Sequence, residues 1–494
     1  MPYTLQEIIR ITGCQATGPA DDRIIDTLLT DSRSLLYPET TLFFAITTSH
    51  GSGLNYIRPL YDKGVRAFAV SSTSAIDIAA MPQAVFLQGD SLSLLQLLAA
   101  HHVSQHPDLQ KVAITGSNGK TIVKEWLYQL IGHRQPTVRS PRSYNSQIGV
   151  PLSLMLIQDT TRLALIEAGI SQPGEMQRLE PIIRPRTVVI TNIGSAHQEN
   201  FTTLQHKAVD KLALAAHAQR IIYPADDASI AAAIRQVGIS ADKLYGWSFH
   251  DSEAQLYIQS VAPGSNQTTV RYRLRSGSQG HYTIPLIDNA SVHNSITCLA
   301  TAVALGYDHT SIATAMSSLE PVAMRLEVKE GQRNLTLIND SYNSDINSLN
   351  IALDFMGRRA EASSLQGRQR ILILSDILQS GESRQQLYSQ VASQVGKQKI
   401  DLLIAIGPDI EPHLAAFTVP CRHYATTDQL LQSRQLDTLH DAIVLIKGAR
   451  TFRFDKITAL LEKRVHETIL EVNLNAIVDN LNHYRSLMKP QTKI

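Results

Sequence analysis

The run Lys111-Val-Ala-Ile-Thr-Gly116-Ser-Asn-Gly119-Lys120-Thr121 carries the residue types that hold a polyphosphate. A short apolar stretch ends in a glycine-rich loop, a lysine and a threonine, and Ile122-Val-Lys-Glu-Trp-Leu-Tyr-Gln-Leu then reads as a helix. Glycines let backbone N–H groups turn toward phosphates without a Cβ clash, and a helix N-terminus adds partial positive charge. In this reading Thr115, Gly116, Ser117, Asn118 and Gly119 cradle a nucleotide and Lys120 reaches its terminal phosphates. The Thr121 hydroxyl then ligates Mg²⁺. The general loop, G-x-x-x-x-G-K-[ST], has glycine where this chain has Ile114. The competing reading is a Gly-Asn turn that joins a strand to a helix and binds nothing.

The rest of the chain must position that loop. Its 494 residues exceed what one core can serve, and the length suggests about three domains. Apolar content of 43% and charged content of 18% are those of an ordinary globular enzyme, and the apolar runs are too short to span a membrane. The N-terminus, Met1-Pro-Tyr-Thr-Leu-Gln-Glu-Ile-Ile-Arg, reads as a capped amphipathic helix rather than a signal peptide. Cys14, Cys298 and Cys421 lie far apart without metal-binding spacing, so buried thiols in a reducing, cytoplasmic setting are expected. A net charge of +1 with interspersed signs gives no electrostatic reason for a nucleic-acid partner.

Buried strands are expected at Thr41-Leu-Phe-Phe-Ala-Ile and Val65-Arg-Ala-Phe-Ala-Val. Others fall at Leu163-Ala-Leu-Ile-Glu, Thr187-Val-Val-Ile-Thr-Asn and Arg220-Ile-Ile-Tyr, as in a largely parallel sheet. A polar alternating stretch from Gln255 to Thr283 reads as an antiparallel insertion, and Ser291 to Ala304 as a helix. Three more buried strands begin at Arg370, Asp401 and Ala442, forming a second α/β unit with no G-x-G-x-x-G opening. The division predicted is 1–106, 107–320, 321–464 and a tail at 465–494. In the tail, Thr468 to Leu474 reads as a strand and Asn475 to Met488 as a helix with Ile477, Leu481 and Tyr484 on one face. One strand and one helix cannot offset their own ordering entropy, so the tail is expected either to dock or to begin a further domain; truncation is the favoured expectation.

The loop and three further segments, in order, resemble the Mur ligases, the ATP-dependent amide-forming enzymes of peptidoglycan precursor synthesis. The family loop is Gly-Thr-Asn-Gly-Lys-Thr, with Ser117 here in place of Thr. Tyr144-Asn145-Ser-Gln-Ile-Gly149-Val-Pro151 is similar to its Asn-x-x-x-Gly-x-Pro segment. Glu167-Ala-Gly169 through Gly174-Glu175-Met176 matches its E-x-G…G-E-M stretch, and Thr191-Asn192-Ile-Gly-Ser-Ala-His197 its T-N-I-x-x-A-H. The resemblance implies three domains: a small α/β N-terminal domain that binds a uridine diphosphate substrate, a central P-loop ATPase domain with a parallel sheet, and a C-terminal Rossmann-like α/β domain. It implies ATP as substrate and Mg²⁺ held by Thr121, Glu167 and His197, both of the latter just past strands. A second Mg²⁺ would be helped by a carbamylated lysine, which falls on Lys211, with Lys207 as its rival one turn away; a solvated lysine face is the alternative. Asn294 of His293-Asn294, Arg325 and Asp340 become candidate nucleotide contacts. Lys447 of Lys447-Gly448-Ala-Arg450 becomes the cation for the acyl phosphate or tetrahedral intermediate, so that Lys120, Lys211, Lys447 and His197 form the expected catalytic set.

Asp340-Ser-Tyr-Asn343 resembles the segment of the family's last adding enzyme, which joins D-alanyl-D-alanine to UDP-N-acetylmuramoyl-tripeptide. The Asn-Pro step that follows in the family is lost here. Ser32 and Arg33, in a D-S-R segment, and Asn145, Asn343, Lys447 and Arg450 are the expected substrate contacts. The tail resembles the opening of alanine racemase, which implies a fused racemase domain without its pyridoxal phosphate site in this chain. Two other functions remain open. One is a different amide ligase of the superfamily, such as an earlier Mur enzyme or a folylpolyglutamate synthase-like protein. The other is a non-catalytic nucleotide-binding module.

Overall fold

Three extended sheets follow one another along the chain in the computed structural model. It describes residues 3–463 and 474–488, apart from 20–21, 49–50, 75, 195–199, 265, 323–324, 343, 362–364 and 379–381. The first sheet has five strands in the spatial order 15–17, 85–88, 67–70, 41–44, 27–29, all parallel except the first. Its apolar runs are buried on both faces, and Phe68 stacks on Phe86 at 5.6 Å while Phe43 meets it edge-on at 6.5 Å. The expected N-terminal helix spans Leu5–Thr12. Thr4 and Glu7 form a reciprocal capping box there, and Leu5 and Ile8 face the core.

The second sheet has nine strands in the order 137–139, 163–167, 110–115, 187–190, 220–224, 244–248, 256–263, 268–274, 279–284. The first seven run parallel. The chain leaves the 110–115 strand, fills one side of it with 137–139 and 163–167, then crosses to 187–190 on the other side. Ligands of open parallel sheets bind outside the carboxyl ends of the strands at such a reversal, and the glycine-rich loop lies there. The alternating stretch after Gln255 is an extension rather than an insertion. Its first strand pairs parallel with 244–248, and two antiparallel strands then finish the sheet. The helix Asn289–Ala304 packs on the phosphate-loop helix Lys120–Ile131, with Val123, Trp126 and Leu127 in the shared core.

The third sheet runs 327–330, 336–340, 442–447, 369–375, 402–406, 421–424, with only the first strand antiparallel. Its central strand ends at Lys447, which pairs in register with Asp340 on the neighbouring strand. In the tail, residues 464–473 lie outside those described, so the expected strand at 468–473 is not addressed. Leu474 corrects the reading: it opens the helix Leu474–Leu487 rather than closing a strand. Of the face expected to be apolar, Ile477 and Tyr484 are exposed, while the Arg485 guanidinium lies 5.3 Å from the ring of Tyr37 in the first unit.

Phe68 is fully buried at the centre of the first sheet. Phe68→Ala is expected to cost that unit about 3–5 kcal/mol, read as a lower urea midpoint with an unchanged slope.

Candidate functional site

The phosphate loop is shaped by a segment from the neighbouring strand. Thr191 and Asn192 follow the 187–190 strand, and the Thr191 hydroxyl donates to the carbonyls of Asn118 and, at 3.3 Å, of Thr115. The Ser117 N–H donates to the Asn192 carbonyl and the Asn118 N–H to its side-chain oxygen, both at 2.9 Å. Two glycines are required by this closeness. At Gly116, φ is +139° and a Cβ would fall 2.0 Å from Thr191 Oγ1; at Gly119, φ is +83° and a Cβ would fall 2.4 Å from Asn294 Oδ1. Sequence reading matched the Thr191-Asn192 motif but missed this task, because nothing in a linear string shows which loop a strand end will brace.

Lys120 curls into the loop, its Nζ donating to the Gly116 and Ser117 carbonyls at 2.9 Å each. Burial holds its ammonium below the ordinary lysine value; Glu167 opposes that shift, Arg325 adds to it and Asp345 opposes it. An incoming anion would restore what burial removes, so the lysine is poised to gain from a phosphate.

Glu167 is the last residue of its strand rather than one past it, and it is buried. Its Oε2 accepts from the Thr121 hydroxyl at 2.9 Å and its Oε1 from Asn145 Nδ2 at 2.7 Å. Ser143 Oγ lies 3.2 Å from Thr121 Oγ1, and Lys124 Nζ 3.8 Å from Glu167 Oε2. Mg²⁺ keeps several waters and takes one or two protein oxygens plus substrate phosphates. A hydroxyl and a carboxylate at the foot of a phosphate loop fit that donor set. His197 lies outside the described residues.

Lys211 and Lys207 both belong to the helix Leu204–Leu212, and both are buried, which removes the solvated-face reading. Lys211 Nζ donates to the Gly116 carbonyl at 3.1 Å, and Lys207 Nζ to the Gly194 carbonyl at 2.7 Å. Burial first, then Lys120 and Lys207, push the Lys211 amine well below the usual lysine range, against a weaker pull from Asp210. With Gly116, Lys120, Asn145, Gly169 and Glu175, it lines one cavity at the loop.

A second cavity on the loop's other side spans the second and third sheets. Asn118, Gly119, Asn192 and Asn294 face Arg325, Asp340 and Ile351 across it. His293 beside it packs against Trp247 at 5.5 Å and Phe249 at 5.3 Å. Lys447 Nζ pairs with Asp340 Oδ2 at 2.8 Å, both buried. The Arg325 guanidinium lies 4.4 Å from the Tyr342 ring centre and that of Arg450 5.8 Å from it. Asn343 lies outside the described residues. Ser32 and Arg33 line a separate cleft with Thr48, Ser52, Tyr56 and Ile148, and Arg33 is forked onto Asp31 at 2.9 and 2.7 Å.

Comparison with known proteins covers most of this architecture. The Mur ligase middle domain is matched over residues 114–302 and the Mur ligase, glutamate ligase domain over residues 324–450. The UDP-N-acetylmuramoyl-tripeptide–D-alanyl-D-alanine ligase of Bacillus subtilis is 25% identical over 461 residues, covering 90% of this chain and 95% of that protein. The Escherichia coli ligase of the same name is 24% identical over 468 residues, covering 93% and 98%. Crystal structures of MurF from Acinetobacter baumannii share the fold, one with a TM-score of 0.79 at 22% identity, covering 94% of this chain and 99% of that one. The Thermotoga maritima MurF ligase in complex with ADP aligns at TM-score 0.70 and 18% identity, covering 88% and 96%. Two successive Mur ligase modules, met in the order middle and then glutamate ligase, make this chain a member of the Mur ligase family.

Proposed function

We propose that this chain ligates D-alanyl-D-alanine to UDP-N-acetylmuramoyl-tripeptide at the expense of ATP, in the cytoplasm, during peptidoglycan precursor synthesis. The observation that carries the reading is the convergence of Lys120, Thr121 and Glu167 at the strand reversal, with Asp340 of the third unit, paired to Lys447, lining the cavity on the other side of the loop. Relatives matched over about nine-tenths of the chain bear the name of that ligase.

An oxide is too poor a leaving group for a carboxylate to be aminated directly, so the γ-phosphoryl group of ATP is first moved onto the terminal carboxylate of the tripeptide. The donor and acceptor are both anions, and cations must bring them together. Lys120 serves the terminal phosphates, and Thr121, Glu167 and His197 would hold Mg²⁺, which neutralises charge on the transferring group. The α-amine of the dipeptide, with an unperturbed pKa near ~8, attacks as the free base. Phosphate then leaves from the tetrahedral intermediate, which Lys447 stabilises. Asn294, Arg325 and Asp340 contact the nucleotide. Ser32 and Arg33 in the first unit hold the uridine diphosphate end, and Asn145, Asn343 and Arg450 contact the peptide partners.

Lys211 is suited to carbamylation, since only the neutral amine adds CO₂ and its surroundings favour that form. The carbamate would supply an anion for a second Mg²⁺. The units bounded at 1–106, 107–320 and 321–464 move relative to one another, with the third closing over ATP. Residues 465–494 are read, on resemblance alone, as the opening of an alanine racemase-like domain, and no pyridoxal phosphate site is assigned to the chain.

A panel of acceptors and amines distinguishes this ligase from other members of the superfamily. Phosphate release is expected only with UDP-N-acetylmuramoyl-tripeptide and D-alanyl-D-alanine together; release with L-amino acids or glutamate instead would reject the assignment. Lys447→Met should lower kcat about 10²–10³-fold, the usual loss when one preorganised donor is removed, measured by the same phosphate assay. Lys211→Arg, which keeps a cation where an anion is wanted, should reduce kcat about 10–100-fold. It should also abolish any carbamate signal in ¹³C NMR with labelled bicarbonate.

A further inference from the structure

Lys124 lies one helical turn beyond Lys120 and is fully buried. No step above uses it. A buried ammonium is expensive unless each of its protons finds an oxygen. Lys124 Nζ donates to the Ser140 carbonyl at 2.8 Å and to the Arg142 carbonyl, and it pairs with Glu125 Oε1 at 3.0 Å. Glu167 Oε2 stands further off, at 3.8 Å. The ammonium is thus chiefly a clamp on the turn at 140–145, with Glu125 balancing its charge.

That turn is worth clamping. Arg142 sits at φ +49°, a left-handed conformation that costs a side-chain-bearing residue and persists only where its surroundings hold it. One end of the turn is fastened to the Glu167 strand and the other to Gly169 just beyond it. The Ser140 N–H donates to the Leu165 carbonyl, the Ser140 hydroxyl accepts from the Glu167 N–H, and the Asn145 carbonyl accepts from the Gly169 N–H. From between these fastenings the turn extends two side chains, Ser143 to Thr121 and Asn145 to Glu167. Both recipients are the candidate metal ligands.

We infer that Lys124 is a positioning residue of the metal centre: its ammonium locks the strained 140–145 turn, and the turn in turn fixes the orientations of Thr121 and Glu167. The inference rests on the Mg²⁺ role proposed for those two residues. It assigns Lys124 no contact with nucleotide or metal. Partners that orient metal ligands from behind commonly account for about 10–100-fold in metal affinity.

The test uses the full chain with a non-hydrolysable ATP analogue, and Mn²⁺ titrated by electron paramagnetic resonance in place of Mg²⁺. Lys124→Met should keep the wild-type affinity for the analogue in EDTA yet bind Mn²⁺ at least ~10-fold more weakly at temperatures well below unfolding. Lys124→Gln retains a donor for one carbonyl and should fall between the two, which keeps the test open if the methionine variant does not fold. A purely structural role would lower the melting temperature and leave the Mn²⁺ affinity of the folded variant unchanged. Mn²⁺ affinity within twofold of wild type in the folded variants would overturn the inference. Glu167→Gln is the control: if it too keeps full Mn²⁺ affinity, the metal role of Glu167 falls; if it alone loses affinity, only the Lys124 clamp falls.

Discussion

Glu167 is a carboxylate taken out of water at the end of a buried strand, and the site is organised around satisfying it. Thr121 and Asn145 donate to its two oxygens, and Lys124 stands behind one of them. A buried charge with fewer partners would protonate or disrupt its surroundings. Here the donors come from the phosphate-loop helix and from the 140–145 turn, so meeting the needs of one anion fixes the relative placement of three chain segments. The helix whose hydroxyl serves Glu167 also carries Lys120, so the carboxylate and the lysine proposed to meet phosphate are tied to one element before any ligand arrives.

The same logic extends outward. The reversal of strand order beside the 110–115 strand opens the crevice, and Thr191 and Asn192 from the next strand brace the loop within it. The third sheet brings its own buried pair, Lys447 with Asp340, at adjacent strand ends. Asn347, near the start of the Ile346–Ala360 helix, closes on Gly194 so tightly that a Cβ there would lie 2.6 Å from its amide nitrogen. The third unit therefore meets the second close behind Ser117 of the loop, where Gly194 also lies.

Much of this was legible in the residues themselves. The strands at 163–167, 220–224, 369–375 and 442–447 show as unbroken apolar runs because parallel strands are covered on both faces. The loop was legible because close packing at Gly116 and Gly119 excludes any Cβ. What stayed hidden depends on contacts distant in sequence. Lys124 reads as one more polar helix position until Ser140 and Arg142 arrive beside it, and the solvated-face alternative for Lys207 and Lys211 is removed only by their burial. The strand at 256–263 has the alternating pattern of a separate hairpin, yet its start pairs with 244–248 and joins the main sheet. Leu474 reads as the end of a strand from Thr468, yet it opens a helix.

Everything proposed for the chemistry turns on the γ-phosphoryl group passing through the acceptor's carboxylate. Isotope tracing addresses this directly: the terminal carboxylate of the tripeptide is labelled with ¹⁸O, ATP and D-alanyl-D-alanine are supplied, and the released phosphate is analysed by mass spectrometry. The account predicts one ¹⁸O atom in the phosphate from each turnover of doubly labelled acceptor. Unlabelled phosphate accompanying amide formation would contradict it.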